Sequence, residues 1–101
     1  MEIEETVCAV YGKNPETIRE DRSLDRNTTE CIHFIWYIRH CVMGETVRSI
    51  ARAYRRNPRT VKYRVAKIRD GIRMQPYYAA RYRQIQERGI PCGTPQEKGM
   101  K

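Results

Sequence analysis

From Thr28 to Met43 the chain reads TTECIHFIWYIRHCVM, apolar almost all the way round a helix. Ile32, Phe34, Ile35, Trp36, Ile38 and Val42 leave little polar face. A helix of this kind belongs in the middle of a bundle, because its apolar surface has to be covered on every side. The β-branched residues would also suit a strand. The run is longer than a typical strand, however, and Gly44 ends it as a helix cap. The segment therefore predicts an all-α fold, a small bundle of five or six helices arranged around residues 28–43.

The flanking segments supply the covering helices. Ile3, Val7 and Val10 recur at i, i+4 and i+7, and Gly12 closes a first helix at Tyr11. Asn14-Pro15-Glu16 reads as a cap, a first-turn proline and an early acid, opening a short helix to Glu20. Residues 21–27 form a polar loop, with Thr28 or Asn27 capping the central helix. Asp21 and Asp25 are read there as loop ion-pair partners of Arg22 and Arg26. Thr46 caps a helix to Tyr54, with Val47, Ile50, Ala51 and Tyr54 on one face. Asn57 then caps another, with Pro58 at its first position and Val61, Val65 and Ile68 inward. Asp70-Gly71 is expected to end or bend it. Gln75-Pro76 opens a last helix with Tyr78, Tyr82 and Ile85 on one side. Residues 1–88 are expected to form one domain. Residues 89–101, rich in Pro and Gly, are expected to form a disordered tail.

Charge singles out one part of this pattern. The chain has 101 residues, a net charge of +8 and a pI near 9.6. Val47–Arg73 carries eight Arg and two Lys against one acid, Asp70, so this stretch alone sums to +9. Residues 1–30 hold eight acids and four bases, a net of −4. The positive charge is thus clustered on two consecutive amphipathic helices joined at Arg55-Arg56-Asn57-Pro58. That is how a helix-turn-helix reads in sequence, and an anionic partner follows from the charge. With Val61, Val65 and Ile68 inward, the opposite face of the second helix presents Arg59, Thr60, Tyr63, Arg64 and Lys67. These are the candidate base contacts of duplex DNA. Arg48, Arg52, Arg55, Arg56, Lys62, Arg22 and Arg26 are the candidate phosphate contacts, which supply affinity and salt dependence.

Other constellations carry less. Cys31 and Cys41 lie ten residues apart on one helix, about 15 Å along its axis, too far to share a metal with His33 and His40. The two cysteines read as core thiols and the two histidines as satisfied edge groups. Cys8 and Cys92 complete the set, with no CxxC pair, as fits free thiols in a reducing compartment. Tyr77, Tyr78, Tyr82, Arg81 and Arg83 admit base stacking but read first as helix packing or a dimer contact. No nucleophile–base pairing and no phosphate-cradling glycine loop is present, so no enzyme, cofactor or small-molecule substrate is expected. No apolar run reaches the ~20 residues of a membrane span. The acidic start at Glu2, Glu4 and Glu5 is the opposite of a secretory signal, so a cytoplasmic location is expected.

The order of elements resembles the C-terminal DNA-binding domain of the bacterial replication initiator DnaA, a Trp-repressor-like helix-turn-helix fold. YGKNPETIRED is similar to the end of that domain's first helix and its short successor. WYIRHCVMGETVRSIARAYRR is similar to its central helix, glycine turn and first helix-turn-helix element, and TVKYRVAKI to its recognition helix. The resemblance spans residues 3–70. It implies duplex DNA binding, in replication or transcription control, without the family's ATPase domain. Three departures accompany it. Asn57, Pro58, Arg59 and Thr60 replace the family's Asp-His-Thr-Thr, keeping only the last Thr. The turn is one residue shorter. In the segment matching the family's Arg-rich minor-groove loop, only Arg22 and Arg26 are basic and Asp25 intrudes. The fold is expected to carry over, whereas the family's target sequence and its initiator role in replication do not follow. A protein-interaction module docking an acidic partner, and an RNA-binding module, are the alternatives.

Overall fold

The computed structural model describes residues 3–89, and among these it contains five α-helices and no strand. Helix α1 spans Ile3–Tyr11, α2 Arg26–Tyr37, α3 Val47–Tyr54, α4 Pro58–Met74 and α5 Pro76–Glu87. A 3₁₀ turn, Ile18–Glu20, precedes α2, and a π-helical turn, Ile38–Val42, extends it. The expected tail lies outside the described residues, Gly89 apart. No described helix is long and apolar enough to cross a membrane.

The central helix is enclosed as its composition demands. Cys31, Ile32, Phe34, Ile35, Trp36, Tyr37 and Ile38 are all buried. Helix α2 packs on α1 and α4, α3 packs on α4, and α5 closes against α4 and α1. Aromatic contacts fill the interior. Trp36 meets Tyr54 edge-on at 5.7 Å, and Phe34 stacks with Tyr82 at 6.4 Å. Tyr78 lies 6.1 Å from Phe34, so two of the clustered tyrosines are packing residues.

Helix ends follow the local sequence with three corrections. At α1, Gly12 takes φ +68 and the Lys13 N–H reaches the Cys8 carbonyl at 3.0 Å, a left-handed cap. The third inward residue of this helix is Tyr11, with Val10 only half-buried. The expected helix after Asn14 contracts to the 3₁₀ turn. There the Asn14 side chain accepts the Glu16 N–H at 2.9 Å, an Asx turn that competes with helical bonding. The cap of α2 is Asp25, not Asn27 or Thr28. Its carboxylate accepts both the Thr28 N–H at 3.2 Å and the Thr28 hydroxyl at 2.7 Å. Thr28 is fully buried, so its hydroxyl turns back to Asp25 instead of capping.

Helix α4 runs straight through Asp70-Gly71 to Met74, against expectation. Gly71 is there for space. A Cβ at this position would lie 2.9 Å from Cδ2 and 3.1 Å from Cγ of Tyr78. The stop comes at Gln75 (φ −122, ψ 121), extended because the residue before Pro76 cannot be helical. Gly71→Ala tests this. Helix propensity favours alanine by about 1 kcal/mol. Overpacking against the root of a ring costs about 1–3 kcal/mol, so the balance is a loss. The thermal midpoint is expected to fall, and a rise would show that the Tyr78 ring can slide away.

Two buried carboxylates tie the elements together. Glu4, 4 % exposed, accepts from Arg39 Nε at 3.0 Å and from the Tyr54 hydroxyl at 2.8 Å. The Arg39 guanidinium grips it with a second bond and also holds Glu45. Glu30 accepts from the hydroxyls of Tyr11 and, at 2.9 Å, Tyr77. Arg81 lies 3.9 Å from the same Glu30 oxygen and 4.9 Å over the Tyr11 ring. Helices α1, α2 and α5 thus meet at Glu30.

Candidate nucleic-acid interface

The two basic helices are set by local signals. The Thr46 hydroxyl accepts the Ser49 N–H at 3.1 Å and starts α3. Ile50, Ala51 and Tyr54 are buried, leaving Arg48 and Arg52 exposed on the outer side. The turn is compact. Arg55 adopts the left-handed conformation (φ 54, ψ 49), and the Arg56 N–H reaches the Ala51 carbonyl at 2.9 Å. Left-handed backbone costs a non-glycine residue roughly 1–2 kcal/mol. The Arg55 N–H donates to the Arg52 carbonyl at 3.3 Å and closes the helix end there. Asn57 then caps α4 by accepting the Arg59 N–H at 2.8 Å, with Pro58 at the first helical position.

Val61, Val65 and Ile68 are buried, and their burial fixes the rotation of α4. Arg59, Thr60, Tyr63, Arg64 and Lys67 consequently share the exposed face. Tyr63 is 56 % exposed and organises its neighbours. The Arg64 guanidinium lies 5.4 Å from its ring centroid and the Lys67 Nζ 5.6 Å. None of the five pairs with an acid among the described residues, and Lys62 beside them is also exposed and unpaired. A cationic face with no compensating carboxylate repels itself, and an anion relieves that repulsion.

The candidate phosphate contacts divide into two groups. Arg48, Arg52 and Arg55 are exposed and unpaired, and Arg22 is exposed with one long bond, 3.5 Å, to the Tyr54 carbonyl. Arg56 and Arg26 are tied into the structure. Arg56 donates to the Asp21 carbonyl at 3.2 Å and lies 5.6 Å over the Trp36 ring. Burial, and then the charge of Arg22, lower its pKa. Arg26 lies 3.8 Å from Glu30 and 5.3 Å over the Tyr77 ring. Its side chain nevertheless points largely into solvent. Asp21 and Asp25 bond to Ser23 and Thr28 instead of pairing with the arginines beside them.

The Cys/His set disperses. Cys31 Sγ lies 3.8 Å from Cys8 Sγ in the core, and His40 Nδ1 lies 2.7 Å from the Glu45 carbonyl. Among the described residues no group of three His, Cys, Asp or Glu converges on a metal position. Of the set, His33 alone lines concavities shared with the turn and α4. It is half-buried, with its ring 5.3 Å from that of Trp36. Sequence reasoning placed it among satisfied edge groups, since its distance from Arg56 and Arg64 along the chain hides their proximity. We found no family model, no curated protein and no solved structure that matches this chain.

Proposed function

We propose that this chain binds double-stranded DNA through the α3–turn–α4 unit, with α4 in the major groove. The observation that carries this reading is the exposed, acid-free face of Arg59, Thr60, Tyr63, Arg64 and Lys67, held in register by a buried triad behind it. Arginine can bind guanine O6 and N7 bidentately, and a threonine methyl can touch thymine. Arg48, Arg52, Arg55, Lys62 and Arg22 would take phosphates, with Arg26 and Arg56 at the margin. The first turn of α4 adds free backbone N–H groups and the positive end of the helix dipole. The resemblance to the DnaA C-terminal domain points the same way. In this reading the chain is a binding module in replication or transcription control, acting in the cytoplasm without catalysis.

Salt dependence tests it. Five phosphate contacts give a slope of about −4.5 in log affinity against log salt, or roughly a 500-fold loss between about 50 and 200 mM. The measurement is fluorescence anisotropy with a labelled duplex, with polyglutamate and structured RNA as competitors. Absence of binding at low salt sinks the proposal. Displacement by polyglutamate at lower concentrations than by unlabelled duplex would favour an acidic protein partner, and preference for RNA would reassign the nucleic acid.

A further inference from the structure

His33 is the one histidine beside α4 among the described residues. No described residue hydrogen-bonds its ring, whereas His40 is bonded to a backbone carbonyl. It forms the shared wall of two concavities. One, of about 400 Å³, is lined by Arg22, Ser23, Thr29, His33, Arg55 and Arg56 among others. The second, of about 300 Å³, lies toward α4, with Arg64, Lys67, Asp70 and the α5 residue Tyr78 in its wall. The charged groups around the imidazole thus come from the loop before α2, the turn and α4. Asp70 is the one acid among them, and it sits 3.5 Å from Arg69.

The chemistry of this place is one-sided. Burial, then the charges of Arg64 and Arg56, hold the His33 pKa down at about 4, so the ring is neutral at pH 7. Two adjacent groups are also incomplete. Arg56 Nε and Trp36 Nε1 are buried donors with no acceptor, and the Arg56 guanidinium covers the Trp36 ring. Buried donors are normally satisfied, and these share a neighbourhood whose other groups are cations. Trp36 is fully buried and lines neither concavity, so the group an anion there would meet is the Arg56 guanidinium in the wall of the first.

We propose that the concavity bounded by Arg22, Arg55, Arg56 and His33 is a phosphate site, and that the His33 imidazole takes up a proton when the phosphate binds. The phosphate is a phosphodiester of a nucleic-acid strand, so the inference rests on the DNA reading above. The proton balance is simple. The phosphodiester stays monoanionic, the neutral imidazole gains one proton from solvent, and no covalent bond changes. The anion offsets the guanidinium charges that suppress imidazolium and gives the imidazolium an acceptor. The sequence of the duplex is irrelevant to this step, because phosphates are common to all of them.

Anisotropy titrations of the full chain with a random-sequence duplex, between pH 8 and pH 5.5 at fixed ionic strength, test it. Uptake of one proton tightens binding as pH falls, by at most about tenfold per pH unit. His33→Gln is expected to lose that slope, whatever its effect on affinity at pH 8. Arg48→Ala is expected to weaken binding at all pH values and to keep it. Proton NMR of the His33 ring supplies the second measurement. Its titration midpoint is expected to rise with duplex, and with inorganic phosphate only at much higher concentration. Duplex binding with a flat pH profile and an unmoved midpoint would overturn this inference and leave the DNA reading intact. A midpoint that responds to inorganic phosphate and not to duplex would overturn the nucleic-acid assignment of the site. Absence of duplex binding at every pH would overturn both readings.

Discussion

Glu4→Ala is expected to lower the unfolding free energy by about 3 kcal/mol, seen as a lower urea midpoint with an unchanged slope. Glu4 is the acceptor for Arg39 and the Tyr54 hydroxyl, and Arg19 lies 3.6 Å from it. Breaking one side of a buried ion pair costs about 3–5 kcal/mol, because the partner charge stays behind without its counter-ion. Arg39 retains Glu45, which places the loss at the lower end of that range. Tyr54→Phe removes one neutral hydrogen bond and is expected to cost only about 1 kcal/mol. A Glu4→Ala loss as small as that of Tyr54→Phe would show that the carboxylate is not the organising group.

The same site gives an acid response. Burial raises the Glu4 pKa, but hydrogen bonds from Arg39 and Tyr54 and the Arg39 charge outweigh it, and the net shift is downward. A carboxylate depressed in the folded state contributes stability above its unfolded pKa. That contribution is lost as pH falls through the folded value. His33 is also depressed, to about 4, so the folded state resists protonation that the unfolded chain accepts. Its contribution is complete above its ordinary pKa of about 6.5 and declines as pH falls toward 4. Both groups therefore weaken the free protein in acid.

Arg64→Ala is expected to lower affinity for a preferred duplex by about 10- to 100-fold, roughly 1–3 kcal/mol, and to relax selectivity at one base pair. Arg52→Ala is expected to weaken all duplexes alike and to reduce the salt slope by about 1. The two arginines differ in their supports. Arg64 stands on the exposed face of α4, with its guanidinium over Tyr63, whereas Arg52 is an exposed residue of α3. Selection from a random duplex library supplies the preferred site, and competition against its scrambled version separates the effects. Equal weakening of both duplexes by Arg64→Ala would mean that it contacts phosphate only.

What the sequence made legible is local. Thr46 and Asn57 act on N–H groups within three residues and Pro58 presets its own φ, so the starts of α3 and α4 can be read directly. The spacing of Val61, Val65 and Ile68 likewise fixes which side of α4 faces out. The Asx turn at Asn14 and the cap at Asp25 are local and are still misread from sequence; the links that leave no reading at all involve partners distant along the chain. Arg39 and Tyr54 reach Glu4 across 35 and 50 residues, and Tyr77 reaches Glu30 across 47. A faint signal did exist, since Glu4 falls on the same stripe as Ile3, Val7 and Cys8. Gly71 looked like a stop because Asp-Gly usually is one, and only the Tyr78 ring explains it. Arg56 and Arg26 were indistinguishable in sequence from free cations. Asp21 and Trp36 engage the first, and Glu30 and Tyr77 the second.

The unbroken course of α4 makes it a lever. Its 17 residues span about 25 Å as one rod. The outer arm carries Arg59 to Lys67, and the far end is clamped where Gly71 meets Tyr78. With the helix unbroken between them, a tilt that re-aims the outer arm must also displace the clamp. Re-aiming the exposed face of α4 and loosening the bundle are then the same mechanical act.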